Sequence, residues 1–420
     1  MGKRKRRKYY NGPDLTSDVE LYPGDIFELT VDKITESGEG ITYIDNNIPI
    51  HIFGAITGEK LRVKVLRKYP EKFICSIEEI LSASNYRKLP ECEYFGKCTG
   101  CQWQHIDYKF QLKLKKIRLE NEIKNYKNIS HIDISETIPS NKKFNYRNHA
   151  RFTAFREDNN TNLGYVNMYS RKFVKIDKCM IMNGKINNFL GNIQNKLSDV
   201  TQVSIRTAIN NDSYIIQPKL DLDSSGIFSG QKYYDEKIRN TNFRVAGASF
   251  FQVNVEQLSN AVDEIKEFLQ LSGDEIIVDA YSGVGVFSIL LSSYVKHVYG
   301  IEESYSAIED AKYNAKNIKN IEFIMGKTED VLLNWNKDID YLLLDPPRIG
   351  CHKNVLEAVR KLKPRKIIIL SCEPEFFARD LSILCENNLF NVKKIIPLDM
   401  FPQTKHTEII AYLSLNEQDL

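Results

Sequence analysis

The sequence predicts an α/β protein with a Rossmann-like, doubly wound C-terminal domain behind a small OB-type β-barrel and a β-rich central domain. From about residue 246 onward, apolar strands alternate with helical segments, which is the pattern of a doubly wound parallel sheet. Between about residues 22 and 82, five short β-rich runs are separated by turns, which is typical of an OB-type barrel. The chain has 420 residues, enough for two or three domains.

Charge is unevenly distributed along the chain. The first 270 residues carry 41 Lys and Arg against 33 Asp and Glu, whereas the remainder carries 17 against 22. The basic part is therefore the one expected to meet a polyanion. Composition and pattern together predict the following segments: a basic disordered tail over 1–20 that includes the run Lys3-Arg4-Lys5-Arg6-Arg7-Lys8, the barrel over 21–84, the central domain over 85–245, and the doubly wound domain over 246–420.

Targeting signals are missing from the sequence pattern. No apolar stretch approaches the roughly 20 residues of a membrane span, and the basic start is not followed by a signal-peptide core. Eight cysteines are scattered irregularly, which favours a reducing compartment and metal or catalytic use. We therefore expect a cytoplasmic protein.

Four of the cysteines form a candidate metal site. Cys92-x5-Cys98-x2-Cys101, with the distant Cys179, supplies four thiolates. Such a set fits either tetrahedral zinc or a four-iron cluster, and spacing alone does not choose between them.

A cofactor site is indicated by the block "IIVDAYSGVGVFSILLSSYVKHVYGIEES". A strand ends at Asp279, a tight turn contains Gly283 and Gly285, and a second strand ends at Glu302, where an acid can accept hydrogen bonds from ribose hydroxyls. The third glycine of a dinucleotide fold is missing near Ser288. A cationic ligand without a pyrophosphate suits this block better, and S-adenosylmethionine is such a ligand.

Two later strands end in reactive side chains. The strand "YLLL" leads into Asp345-Pro-Pro-Arg348, and the strand "IIIL" leads into Ser371-Cys372. Methyltransferases that act on exocyclic amino groups carry an aromatic residue after a similar Asp/Asn-Pro-Pro, so Arg348 counts against that chemistry. A free cysteine is usually a small core residue, but the strand-end position of Cys372, beside the cofactor strands, favours a nucleophile.

Together these motifs resemble the RNA uracil-5-methyltransferase family, S-adenosylmethionine-dependent enzymes that make 5-methyluridine in tRNA or ribosomal RNA. The resemblance covers nearly the whole chain. It rests most specifically on "CEYFGKCTGCQWQH", "SFFQVN", "DPPRIG", "LSCEPEFFARDL" and "DMFPQTKHTE". It implies an N-terminal TRAM barrel, a central RNA-binding domain with an iron–sulfur site, and a methyltransferase domain.

The resemblance also implies roles for individual residues. Cys372 would be the nucleophile and Glu408 the general base. The cofactor contacts would come from Gln252, Tyr281, Glu302 and Asp345. Cys92, Cys98, Cys101 and Cys179 would bind a [4Fe–4S] cluster, and the partner would be tRNA or ribosomal RNA bound by a monomer. The chain departs from the family pattern at Ser282, Thr99 and Glu373, where Cys, Gly and Asn are usual; none of these changes removes a reacting group.

The reaction explains the residue types. Carbon 5 of uracil becomes nucleophilic only after a thiolate adds to carbon 6, and a base must later remove the carbon-5 proton. His406, two residues before Glu408, would share its face in an extended strand and could orient the base or the RNA. Three alternatives stay open from sequence: a non-catalytic RNA-binding iron–sulfur protein, a nicotinamide oxidoreductase, and a methyltransferase that acts on another RNA position.

Overall fold

The computed structural model describes residues 10–35, 37–44, 47–157, 160–197, 200–222 and 226–416. The chain divides into two units, of which the first runs to Gln111 and includes Gln403–Lys405, and the second comprises Leu112–Pro402 and the chain from His406 onward. The predicted basic run, residues 3–8, lies outside the described residues. Across the described ranges, no helix has both the length and the apolarity to span a bilayer.

The first unit contains a six-stranded sheet in the order β1-β5-β6-β4-β3-β2. Its strands are β1 (Ile26–Thr30), β2 (Lys33–Ile34), β3 (Gly40–Ile44), β4 (Ile48–Ile52), β5 (Lys60–Tyr69) and β6 (Lys72–Ser82). The first predicted strand is thus divided in two, and the other four predicted runs each form one strand. Alternating residues such as Ile50, Val63 and Phe73 fill the core of this unit. The assignment of the sheet to the TRAM barrel class stays a prediction.

The second unit begins within a long helix and continues into a β-rich region. The elements of this region are α1 (Tyr108–Lys124), β7 (His149–Glu157), β8 (Asn160–Val166), β9 (Phe173–Lys175), α2 (Gly184–Ile193), β10 (Gln202–Thr207), β11 (Tyr214–Gln217), β12 (Tyr233–Ile238) and β13 (Thr241–Ala246). Strands β7–β11 form one antiparallel sheet in the order β11-β10-β7-β8-β9, and β12 pairs with β13.

A seven-stranded sheet forms the rest of the unit, in the order β16-β15-β14-β17-β18-β20-β19. Its elements, in chain order, are α3 (Val255–Leu269), β14 (Ile276–Ala280), α4 (Val286–Ser292), β15 (His297–Glu302), α5 (Tyr305–Asn314), β16 (Ile321–Met325), α6 (Thr328–Leu333), β17 (Tyr341–Leu344), α7 (Lys353–Leu362), β18 (Lys366–Ser371), α8 (Pro374–Leu384), β19 (Phe390–Leu398) and β20 (Glu408–Leu415). The first five strands along the chain are parallel, which confirms the predicted Rossmann-like sheet. The last two strands are antiparallel to their neighbours.

Helix α1 contributes to the core beneath the seven-stranded sheet. Leu119 and Ile123 on this helix are buried in the same cluster as Leu344 of β17 and Ile369 of β18. The segment after the helix also runs along the sheet, because the Ile138 N–H donates to the carbonyl oxygen of Pro397 at 2.9 Å. Residues far upstream of β14 are therefore part of the structure that carries the strand ends.

The turn between β14 and α4 requires glycine at position 285. Gly285 has φ +84°, in the left-handed region, and a Cβ atom there would lie 2.8 Å from Cζ of Phe323 on β16. Any other residue would combine backbone strain with a steric clash. The positive φ and the close approach of this turn to β16 thus explain one glycine of the sequence motif without reference to a ligand.

We predict that Gly285→Ala destabilises the protein by roughly 1–3 kcal/mol, from the backbone strain together with the overlap against Phe323. Gly273→Ala is the matched control, since Gly273 has φ +105° but open space around the added Cβ. Thermal unfolding should show a larger decrease in Tm for Gly285→Ala than for Gly273→Ala. Adding Phe323→Leu should reduce that difference; equal Tm values for the two glycine variants would contradict the packing explanation.

Candidate active site

Four of the predicted site residues lie along one edge of the seven-stranded sheet. Glu302 ends β15, Tyr281 follows β14, Asp345 follows β17 and Cys372 follows β18. Because these strands are parallel neighbours, their carboxyl ends meet at the same edge, where open α/β sheets bind ligands.

Glu408 reaches this edge by a different route. Strand β20 is antiparallel to β18, with Ser371 paired to Ile409. Cys372 comes immediately after Ser371 and Glu408 immediately before Ile409. Because the strands are antiparallel, Cys372 and Glu408 therefore lie at opposite positions on neighbouring strands. The structure therefore brings together the predicted nucleophile and the predicted base.

The Cys372 thiol is half-buried and surrounded by charged groups. Burial raises its pKa to about 11, the Glu408 carboxylate adds to the increase, and the Arg348 guanidinium opposes it. A thiolate at this position therefore requires nearby positive charge or a substrate that takes up the negative charge as the bond forms. Arg348 was noted in the sequence only as a departure from an aromatic residue; its charge beside the thiol was not foreseen.

Glu408 is buried, and burial raises the pKa of its carboxyl group well above the ordinary range, with a further increase from Asp345. The neutral form is therefore favoured while other negative charges are present. His406 does not share the strand with Glu408, because β20 begins at Glu408. The His406 ring instead lies 6.0 Å, centroid to centroid, from the ring of Phe401.

The acid before the glycine turn holds the turn in place. Asp279 is buried, and its Oδ2 atom accepts hydrogen bonds from the Ser288 N–H at 3.0 Å and the Ser288 hydroxyl at 2.5 Å. Ser288 stands where a dinucleotide fold would have its third glycine, and its side chain is used to bind the strand end. The combination of Asp279 and Ser288 thus explains how this turn is fixed without the third glycine.

Glu302 and Tyr281 flank the same turn. Glu302 Oε2 accepts the Gly283 N–H at 2.9 Å and its Oε1 accepts the Ser304 N–H at 2.7 Å, so the carboxylate joins β15 to the glycine turn. Tyr281 has φ +64°, an uncommon conformation for a residue with a side chain, of the kind that clusters at functional sites. Around Gly283 no atom lies within 4 Å of an added Cβ, so its backbone faces open space that a ligand can enter.

Gln252 comes from a separate segment, just before α3. The Asn148 side chain donates to the Gln252 carbonyl oxygen at 3.3 Å. Upstream, Asp310 on α5 accepts the Ser249 hydroxyl at 2.8 Å, which fixes the start of the "SFFQVN" motif. Between these anchors Phe250 is 70% exposed. An exposed aromatic ring beside a proposed cofactor contact is suited to stacking on a planar ligand.

A clamp on α8 fixes the loop after Asp345, and sequence reasoning did not identify it. Asp380 accepts the Cys351 N–H at 2.6 Å, and Arg379 donates to the carbonyl oxygens of Ile349 and Cys351, each at 3.1 Å. The helix that starts just after Cys372 therefore also holds the loop that carries Arg348. The only signal in the sequence was the adjacent Arg-Asp pair within "LSCEPEFFARDL".

The metal site expected at Cys92, Cys98, Cys101 and Cys179 stays a prediction. In the described part of the chain, no three His, Cys, Asp or Glu side chains converge to hold a metal ion. Cys92, Cys98 and Cys101 belong to the first unit, whereas Cys179 belongs to the second. Burial raises the pKa of the Cys98 thiol, and Cys92 adds to this increase, so these two thiols are neighbours.

The chain is similar to known RNA methyltransferases. Residues 226–416 match the family described as tRNA (Uracil-5-)-methyltransferase. A protein of Clostridium tetani named as an uncharacterized RNA methyltransferase is 28% identical over 456 aligned residues, which cover 95% of this chain and 98% of the relative. A protein of Halalkalibacterium halodurans with the same kind of name is 28% identical, with coverage of 93% and 97%.

The fold is also found in a solved structure. The tRNA (uracil-54, C5)-methyltransferase of Pyrococcus abyssi, solved in complex with S-adenosyl-L-homocysteine, superposes with a TM-score of 0.74 at 23% identity and covers 92% of this chain and 100% of that chain. The resemblance seen in the sequence motifs is confirmed. This chain is an RNA methyltransferase, and its residues 226–416 are similar to the RNA uracil-5-methyltransferase family.

Proposed function

We propose that this protein methylates carbon 5 of a uridine in tRNA or ribosomal RNA, with S-adenosylmethionine as methyl donor and a covalent intermediate on Cys372. The observation that carries the proposal is the position of Cys372 beside Glu408, on the sheet edge that also bears Tyr281, Glu302 and Asp345. Amino-group methylation is less well supported, because the exposed Arg348 follows Pro346-Pro347 in place of an aromatic residue.

The donor site is supported by the chemistry of the residues present. S-adenosylmethionine, when bound, supplies a methyl group on a positively charged sulfur atom. Carboxylates at Asp345 and Glu302 suit a cationic ligand that also carries ribose hydroxyls. The open backbone at Gly283 leaves room for close approach, and the Pyrococcus abyssi enzyme with the same fold holds the demethylated product of this donor.

The first step uses the thiolate of Cys372. Its sulfur forms a bond to carbon 6 of the uracil, and the electron pair of the 5,6 double bond moves to carbon 5 and the carbonyl oxygen at position 4. Arg348, which lowers the pKa of the thiol against the effect of burial, favours this step. A protonated Glu408 also favours it, because a second negative charge beside the thiolate is avoided.

The second and third steps restore the ring. Carbon 5 takes the methyl carbon, and the bond between methyl and sulfur in the donor breaks, leaving a neutral thioether. Glu408 must be a carboxylate for the last step, so it first loses its own proton to solvent. The Arg348 guanidinium, which lowers the pKa of Glu408, favours this loss. Glu408 then removes the proton from carbon 5, the 5,6 double bond re-forms, and the Cys372 thiolate leaves.

The covalent step is tested by paired variants. Cys372→Ala should abolish methylation of total RNA from cells that lack this gene, while calorimetry shows unchanged binding of S-adenosylmethionine. Glu408→Gln should instead accumulate a protein–RNA species that survives denaturing electrophoresis, because addition and methyl transfer occur but breakdown does not. RNA from cells grown with 5-fluorouracil should trap the wild type, since fluorine cannot leave as a cation. An active Cys372→Ala enzyme, or no adduct in either experiment, would reject the proposal.

The donor site predicts a pH dependence. Burial raises the pKa of Asp345 to about 7, so below this pH the carboxyl group is mostly neutral in the free protein. A cationic ligand favours the carboxylate, so affinity for S-adenosylmethionine should rise from pH 6 to pH 8. The increase should be at most about tenfold for each pH unit below the pKa, and binding should release a proton. Calorimetry in buffers of different ionisation enthalpy measures both effects.

Asp345→Asn is the control for this pH dependence. It should bind more weakly at pH 8 and lose most of the pH dependence; the part that remains would come from Asp279, whose pKa burial also raises to about 7. A wild-type affinity that stays constant between pH 6 and pH 8 would show that Asp345 does not face the donor.

The [4Fe–4S] cluster is a separate proposal that rests on the family resemblance. No step of the proposed reaction uses it. One observation supports it: beside Cys101, the indole nitrogen of Trp103 and both ring nitrogens of His105 are buried without hydrogen-bond partners among the described residues. Sulfur atoms of a bound cluster accept hydrogen bonds, and the Trp103 indole N–H and the single N–H of the neutral His105 ring are donors that could supply them.

Protein purified without oxygen should therefore be brown and contain about four iron atoms per chain. Elemental analysis and visible absorption measure this directly, and Cys101→Ser should lose both signals. One zinc per chain without visible absorption, or no metal at all, would remove the cluster from the description of this protein.

A further inference from the structure

Helix α1 carries a lysine that is fully buried and has all of its donors satisfied. Lys115 Nζ donates to Asp399 Oδ1 at 2.5 Å, to the carbonyl oxygen of His406 at 2.7 Å and to that of Phe401 at 3.2 Å. An ammonium group has three N–H donors, so these three acceptors use all of them. Lys115 and Asp399 are both 0% exposed.

The three acceptors lie at both ends of the connection between β19 and β20. Asp399 follows directly after Leu398, the last residue of β19, and His406 lies two residues before Glu408. In the antiparallel pairing of β19 with β20, Leu398 is the partner of Glu408. One ammonium group therefore ties together the two chain segments from which the proposed base extends.

Stability alone is a weak explanation for this ion pair. Burial of two charges costs several kcal/mol per ion, and well-packed apolar residues are often as stable or more so. Burial in fact lowers the pKa of Lys115, although Asp399 counteracts the change. What apolar residues could not supply is the directional hold on two backbone carbonyl groups.

One turn later, the same helix contacts the residue that follows the proposed nucleophile. Arg118 Nη2 donates to Glu373 Oε1 at 2.6 Å, and Glu373 is the neighbour of Cys372. Positions 115 and 118 share a face of the helix. Glu373 occupies the N-cap position of α8, yet its side chain makes no capping hydrogen bond; it is directed to Arg118. Glu373 is also one of the three positions at which this chain departs from the family pattern, where Asn is usual.

We propose that Lys115 and Arg118 are positioning residues of the active site: Lys115 holds the segment that carries Glu408, and Arg118 holds the Glu373 carboxylate beside Cys372. This inference rests on the proposed function and assigns the two residues to different steps of the reaction. Lys115 serves breakdown of the covalent intermediate, which needs the base. Arg118 serves its formation, which needs the thiolate.

The charges around the thiol explain the second half of this division. Glu408, Arg348, Glu373 and Asp345 are the charged groups that act on Cys372, and the carboxylates among them disfavour the thiolate. The Arg118 guanidinium offsets the negative charge of Glu373, the residue next to Cys372. Without Arg118, a free carboxylate at position 373 would oppose thiolate formation.

The test for Lys115 separates formation of the adduct from its breakdown. Lys115→Met should form adduct with RNA from 5-fluorouracil-grown cells at the wild-type rate. On unsubstituted RNA it should release product roughly 10–100-fold more slowly, the effect of displacing a reacting group by about 1 Å, and accumulate a methyl-labelled protein–RNA species. Lys116→Met on the same helix, whose ammonium pairs with the exposed Glu136, is the control and should behave as wild type.

A second variant controls for misfolding of Lys115→Met, in which the Asp399 carboxylate is left buried without its charged partner. Lys115→Met/Asp399→Asn removes both charges, and calorimetry with S-adenosylmethionine checks that the donor site is intact. The slow breakdown should persist, because the hydrogen bond to His406 is still missing. Wild-type breakdown in a double variant that binds the donor normally would overturn the role of Lys115.

The test for Arg118 is a pH profile with a rescue. Arg118→Met should slow adduct formation with the 5-fluorouridine RNA by about tenfold at pH 7 and shift its pH dependence upward by about one unit, while breakdown on unsubstituted RNA is unchanged. Arg118→Met/Glu373→Gln should recover the wild-type profile, because the carboxylate is gone. If the rescue fails, Arg118 acts through structure and its positioning role is rejected.

The outcomes are distinguishable from failure of the proposed function. If wild-type protein forms no adduct with 5-fluorouridine RNA, the proposed reaction itself is wrong. If the wild type is trapped and Glu408→Gln accumulates adduct, but Lys115→Met and Arg118→Met both turn over as wild type, only the positioning roles are wrong.

Discussion

The register between β18 and β20 is the constraint on which the active site depends. Ser371 pairs with Ile409, and this pairing places Cys372 next to Glu408 at the edge where the parallel strands end. A slip of one residue would turn every side chain of β20 to the opposite face of the sheet. Buried residues on both faces of β20, such as Ile410 in one core cluster and Leu413 in the other, oppose such a slip because each would move into the opposite cluster. Packing of the sheet thus determines which acid lies beside the proposed nucleophile.

Electrostatics imposes a second constraint on the same edge. Asp279, Asp345 and Glu408 are carboxyl groups whose pKa values are all raised, in each case mainly by burial. An edge built in this way disfavours additional negative charge and favours a cation. A donor with a positively charged sulfur answers that requirement, and the exposed Arg348 supplies a fixed positive charge near the thiol. The sequence of ionisations in the proposed reaction follows from these local charges.

Sequence reasoning found those parts of the site that lie at the ends of parallel strands. Glu302, Asp345 and Cys372 each lie at the end of a predicted strand, and the rule that such ends meet at one edge needs no long-range information. Glu408 had no comparable signal, since it begins an antiparallel strand whose place beside β18 is set by tertiary packing, and only the family resemblance identified it. Lys115 was not identified at all, because its partner Asp399 is 284 residues away.

The position of α1 depends on apolar packing and in turn fixes the position of two charged side chains. Its apolar face, with Leu119 and Ile123, packs in the core under the strands, and this packing fixes the rotation of the helix. Once that rotation is fixed, Lys115 and Arg118 face the segments beside Glu408 and Cys372 without further adjustment. The strands from β14 onward therefore do not contain everything that the active site needs. Helix α1, which ends about 150 residues before β14, belongs to the catalytic structure that we propose, and the charges on its inner face orient the proposed reacting groups.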